Sequence, residues 1–189
     1  MKTKRFFMIA IFLLASSTAI FAKGFQPPSE GKTVVYFARV TKWGGPVGFD
    51  FFHQDKYIGT FKNKNYMRYE CDPGKQLFWA SSENKEFITS DLVAGKSYIV
   101  IVNVIMGAWK GRVGLEPISV KDVEKFDRAK ELIMERDPVV TSTEEINDTN
   151  KEMADFIKEK LDQYNEEWKK EKDFNHISPE MALPPEAMK

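Results

Sequence analysis

Cys71 and His53 are the residues of this 189-residue chain whose types could make a nucleophilic pair, an imidazole drawing the proton from a thiol. Cys71 is the only cysteine and His176 the only other histidine. Against the pair, Cys71 alternates with Met67 and Tyr69 along one strand face, which points to a buried, inert thiol. Asp50, His53 and Asp55 have metal-ligand side chains, but alternation sends Asp50 and His53 to opposite faces, where they share no ion unless the strand bulges. His176 lies in a proline-containing stretch with no partner that the sequence identifies. There is no G-x-S-x-G elbow, Walker loop, dinucleotide fingerprint or calcium loop. The expectation is a chain with no catalytic residues, no metal and no cofactor.

Tryptophans on loops are the other candidates. Trp43 stands beside Gly44-Gly45-Pro46, and Trp109 lies within Met106-Gly107-Ala108-Trp109-Lys110-Gly111. A loop tryptophan can stack on a sugar face or anchor a protein partner, and it can equally close the end of a β-sandwich. Trp79 alternates with Leu77 while Phe78 takes the opposite face, so Trp79 is expected in the core.

These residues sit in a chain that begins as an exported one. Lys2, Lys4 and Arg5 precede the apolar run Phe6 to Ala15, and small residues lead to Ala22, the pattern of a signal peptide over 1–22. The run is shorter than the roughly 20 residues of a spanning helix, so cleavage is favoured over a retained anchor. Removing the three basic residues leaves 25 basic against 28 acidic side chains, without the basic footprint of a nucleic-acid binder. An exported chain with one cysteine has no internal disulfide and holds its fold by packing. No cysteine follows the signal to carry a lipid, so no stable membrane insertion is expected after cleavage.

Eight runs rich in Val, Ile, Phe and Tyr, near 33–40, 47–53, 56–61, 66–71, 75–82, 86–91, 97–106 and 112–118, read as strands separated by Gly, Pro, Asn and Asp turns. Together they predict an α+β protein: an antiparallel β-sandwich of seven to eight strands over 23–118, followed by a helical extension of two helices over 119–173. The runs 33–40 and 97–106 are apolar on both sides and need a cover on each face. Ser119 and Asp122 form a box-like cap for a helix over 120–136, ended by Pro138. Ser142 and Glu145 cap a longer one, along which Ile146, Met153, Ile157, Leu161, Tyr164 and Trp168 make one apolar stripe. At least one helix is expected on the doubly apolar sheet. Met153, Ile157, Leu161, Tyr164 and Trp168 are also candidates for docking a protein partner. Membrane-surface binding is disfavoured, because 11 acidic residues outnumber 6 basic ones from Glu144 to Asp173. Residues 174–189, with Pro179, Pro184 and Pro185, read as an extended, mobile tail.

Val35-Tyr36-Phe37-Ala38-Arg39, Tyr57-Ile58-Gly59-Thr60-Phe61-Lys62-Asn63, Tyr66, Pro73-Gly74-Lys75, Ala94-Gly95-Lys96-Ser97-Tyr98 and Gly107-Ala108-Trp109 resemble the bacterial envelope family known as domain of unknown function 2846, over residues 32 to 118. Phe51 to Lys75 is also similar to the strand-turn-strand unit of PEGA-type β-sandwich domains. The resemblance implies a β fold and export to the periplasm or cell envelope, and brings no catalytic residue. Gln76 stands where family members often carry a histidine, and the helical half lies outside the match. The expectation is an exported, non-catalytic envelope protein acting as a protein-interaction or structural module, the alternative being a glycan or cell-wall binding module that uses Trp43 and Trp109.

Overall fold

All eight expected strands form, each within a residue of the boundaries that alternation predicts. The computed structural model describes residues 23–43, 46–107 and 111–189; the expected signal peptide and Trp109 lie outside the described residues. The strands are β1 (Thr33–Arg39), β2 (Gly48–His53), β3 (Lys56–Lys62), β4 (Asn65–Cys71), β5 (Gly74–Ser81), β6 (Lys85–Leu92), β7 (Ser97–Ile105) and β8 (Arg112–Ile118). Three helices follow, α1 (Val123–Glu135), α2 (Thr143–Glu152) and α3 (Ala154–Gln163), then a short strand β9 (Asn175–Ile177).

The strands make two sheets, in the orders β4-β1-β7-β8 and β3-β2-β5-β6-β9. Both are mixed, which corrects the expectation of a purely antiparallel sandwich: β1 runs parallel to β7, and β6 parallel to β9. The β1–β7 pair is the doubly apolar pair, and it occupies the two central positions of its sheet because only there are both faces of a strand covered.

Four layers result. The inner faces meet through Val35, Phe37, Val100 and Val102 on one side and Phe49, Phe51, Phe78 and Ile88 on the other. On the outside of the first sheet, Val34, Tyr36, Ile99 and Ile101 are covered by Phe126, Ala129, Leu132 and Ile133 of α1, as expected of a helix on the doubly apolar sheet. The second sheet also has an apolar outer face, Phe52, Tyr57, Trp79 and Phe87, which α3 and the turn after it cover.

The helix caps follow the sequence in part. The Ser142 hydroxyl accepts a bond from Glu145 N at 3.1 Å and opens α2 as its capping box predicts. At Ser119, Asp122 reaches back to Ser119 N at 2.9 Å, but this closes a turn and α1 starts only at Val123. The expected second helix is interrupted at Met153 and passes into a π-helical turn at Tyr164–Trp168. The wider turn brings both Tyr164 and Trp168 against Phe87, with ring centroids 4.5 and 5.7 Å away.

Residues 174–189 differ from the extended tail expected of them. Asn175–Ile177 pair with β6, Asn175 Nδ2 donates to Leu115 O at 2.7 Å, and Ile177 and Leu183 are buried. This seals the seam beside β8. The opposite seam, between the edge strands β3 and β4, is sealed by the α1–α2 connector, where Val139 N donates to Tyr66 O at 2.8 Å. Asn150 completes that side: its amide accepts from Tyr57 N at 2.8 Å and donates to Tyr57 O at 3.1 Å, as a neighbouring strand would. No helix among the described residues is long and apolar enough to cross a membrane.

Candidate functional site

The structure sets His53 and Cys71 apart from nucleophilic chemistry. His53 Nε2 lies 2.8 Å from Gln76 Oε1, which also accepts from Gln54 Nε2 at 2.9 Å, while Gln76 Nε2 donates to Asp72 O at 3.1 Å. An amide oxygen only accepts, so Nε2 carries the imidazole proton and Nδ1 accepts from the Tyr69 hydroxyl at 3.0 Å. Both ring nitrogens are engaged, the ring lies over Phe78, and burial holds its pKa below the ordinary histidine value. No hydrogen bond joins His53 to Cys71 among the described residues.

Cys71 is 7% exposed within the inner core, and burial first, then Asp72 and Glu70, push its thiol up to about 12. Against an ordinary value of 9.0, the thiolate fraction at neutral pH falls about 1,000-fold. Iodoacetamide should therefore label the native protein only at its rate of opening, and the unfolded chain at once. Rapid labelling of the native chain would contradict the buried assignment.

His176 has a partner that sequence reading misses, the Thr89 hydroxyl at 2.8 Å from Nδ1. Asp50 and His53 sit on opposite faces, and the register shift between β2 and β3 leaves them there, because the extra residue, Ile58, is on β3. Among the described residues no three His, Cys, Asp or Glu side chains converge as metal ligands.

The apolar stripe is occupied by the protein itself. Ile157 and Tyr164 are buried, and Met153, Leu161 and Trp168 pack partly buried around Phe52, Trp79 and Phe87. The stripe thus packs on its own sheet through Phe52, Trp79 and Phe87, while Met153, Leu161 and Trp168 stay partly exposed. Beside α2 and α3 an open cleft of about 980 Å³ remains, floored by Tyr57, Ile58 and Ile146.

Trp43 is placed differently. It is 51% exposed, so it does not plug the sandwich end, and its loop is fixed from below by Arg39. Arg39 is fully buried at the end of β1, with its guanidinium 5.6 Å from the Phe49 ring centroid. Its Nη1 donates to Val47 O at 2.6 Å and Nη2 to Trp43 O at 2.8 Å, tying down the middle and the end of the β1–β2 loop. The signal for this role was one arginine closing a doubly apolar run, which reads from sequence as a strand end.

Because β1 and β7 are parallel, their C-terminal ends lie together, and β7 ends in Ile105 and Met106, 49% and 78% exposed. A Cβ on Gly111, after the β7–β8 connection, would stand 3.9 Å from Val47 of the β1–β2 loop. The β5–β6 turn joins the same end, with Ser82 Oγ donating to Gly111 O at 2.6 Å. Three connections thus bring Trp43, Ile105 and Met106 to one end of the sandwich; Trp109 belongs to the β7–β8 connection, outside the described residues. No family model matches the chain, and no curated protein matches it.

Proposed function

We propose that the protein is an exported, non-catalytic module of the bacterial envelope that binds a protein partner through the loop end of its sandwich. The observation that carries this reading is the exposed group Trp43, Ile105 and Met106 at one end of the sandwich, with the Trp43 carbonyl held by a buried arginine. Large apolar side chains presented on a preorganised loop lose little entropy on docking, and tryptophan is the residue most enriched among binding hot spots. The leader-like pattern over 1–22 and the resemblance to domain of unknown function 2846 support export. The engaged His53 and buried Cys71 support a non-catalytic role.

A photo-crosslinking residue at Met106 tests the reading in cells, with Met134 of α1, also exposed, as control. Discrete protein adducts are expected from position 106 and not from 134. Trp43→Ala should weaken recovery of the same adduct by roughly 30-fold, the equivalent of about 2 kcal/mol for a hot-spot tryptophan. Absence of adducts from 106, or equal labelling from both positions, would remove the partner surface. Polysaccharide retained by the wild type and lost in Trp43→Ala would make the loop end a glycan site instead.

A further inference from the structure

Beside the loop end, a pocket of about 430 Å³ opens between the β5–β6 turn, the start of β8 and the chain that leaves α3. Four cations line it, Lys85, Arg112, Lys160 and Lys172, with Trp168 and Phe174 as its apolar wall. Glu83 and Glu86 also border it, which leaves an excess of positive charge. The volume is that of a small-molecule site.

The cations outnumber the carboxylates beside them: Lys160 pairs with Glu159 at 2.8 Å, and Glu86 lies in the field of Lys172 and Arg112. Lys85 and Lys160 hold their ammonium groups 5.5 and 5.6 Å from the centroid of the same Phe156 ring. Lys85 donates to Ser82 O at 3.1 Å, and among the described residues neither Lys85, Arg112 nor Lys172 forms an ion pair. Burial, and then the charge of Lys160, pull the Lys85 ammonium below its ordinary pKa. Lys172 stands 4.8 Å over the Trp168 ring, which keeps its charge beside the apolar wall.

The neutral groups of the pocket are already engaged. Asn84 exchanges both amide bonds with the Val113 backbone, at 2.9 and 2.8 Å, and the Gln163 amide bonds Glu159 and Lys160. What remains for a ligand is positive charge next to aromatic surface, which suits an anion better than an uncharged polyol.

We propose that this pocket binds a small organic anion, its phosphate or carboxylate held by Lys85, Lys172 and Arg112 and its carbon body resting on Trp168 and Phe174. The site is separate from the partner surface at Trp43, and neither depends on the other.

Isothermal titration of the full chain tests it with glucose 6-phosphate, galacturonic acid, glucose and inorganic phosphate. Saturable binding of glucose 6-phosphate or galacturonic acid is expected, with none of glucose; which of the two binds identifies the anionic group. Lys85→Gln and Lys172→Gln should each weaken that binding at least tenfold, and added salt should weaken it further. Lys172 is exposed, so its variant keeps the test valid if Lys85→Gln melts early. The proposal is overturned if neither charged sugar saturates the protein or if Lys172→Gln binds as tightly as wild type. It is overturned equally if inorganic phosphate binds as well as the sugar phosphate, since the aromatic wall would then have no part.

Discussion

Trp79→Ala should cost the folded protein about 3–5 kcal/mol, the largest loss expected of any single truncation here. Trp79 is fully buried on the outer face of the second sheet, stacked 3.7 Å from Phe52 at an interplanar angle of 9° and 5.4 Å from Phe87. Its indole N–H donates to Gln54 O at 2.9 Å, so truncation also strips a carbonyl in the β2–β3 turn of its partner. Phe156 of α3 rests on the same ring, at 6.1 Å. The damage should therefore be directional. Urea titration followed by circular dichroism gives the size of the loss, and hydrogen exchange gives its place: protection should fall in α3 well before α1, which packs on the other sheet. Trp79→Phe keeps a ring in the stack and should lose roughly half as much. Uniform loss of protection, or a cost below about 1 kcal/mol, would mean that α3 does not depend on this face.

The strands were legible because each carries its own signal. Alternation along Tyr66–Cys71, or the double apolarity of Ser97–Ile105, depends on no distant residue, and turns such as Asp72-Pro73-Gly74 are local chemistry. Pairing is not local. Nothing in the period of β1 says that its neighbour is β7, some sixty residues on and parallel, and a three-residue strand such as β9 is too short to show a period. The same limit explains the second helix. Its stripe was readable, but its target, Phe52 with Trp79 and Phe87, is spread over three strands whose neighbourhood exists only in the fold.

The candidate surface divides along the same line. Trp43 announces itself by type and by the glycines beside it, whereas Ile105 and Met106 read as the end of a strand until parallel pairing sets them at the same end of the sandwich as Trp43. Arg39 is legible only by its oddity, a guanidinium at the end of an apolar run, and its bonds to Trp43 O and Val47 O supply the reason. The cationic pocket was not readable at all. Lys85, Arg112, Lys160 and Lys172 come from separate elements, and each alone is an ordinary surface charge.

Gly59→Ala is the second large expected effect, and it probes how the sandwich is closed. Gly59 follows Ile58, the extra residue of β3, at a φ of +145°, a region that side-chain-bearing residues rarely adopt. A Cβ there would stand 2.6 Å from Thr141 Oγ1 and 3.2 Å from Met67 Sδ. Thr141 belongs to the connector that crosses between β3 and β4, tied down by Val139 N on Tyr66 O and by the Tyr66 hydroxyl on Arg136 O at 3.0 Å. Two costs add: about 1–2 kcal/mol for the backbone conformation and a similar amount for lifting the connector off the core edge, roughly 2–4 kcal/mol together. A double-mutant cycle with Thr141→Ala separates them, because removing the hydroxyl relieves the clash and leaves the backbone strain. Partial rescue, with a coupling of about 1 kcal/mol, is expected. Strict additivity would mean that the connector yields freely and that the loss lies in the backbone alone. Full rescue would mean that the bulge tolerates a side chain, and that Gly59 is needed only for the close approach of the connector that seals this seam.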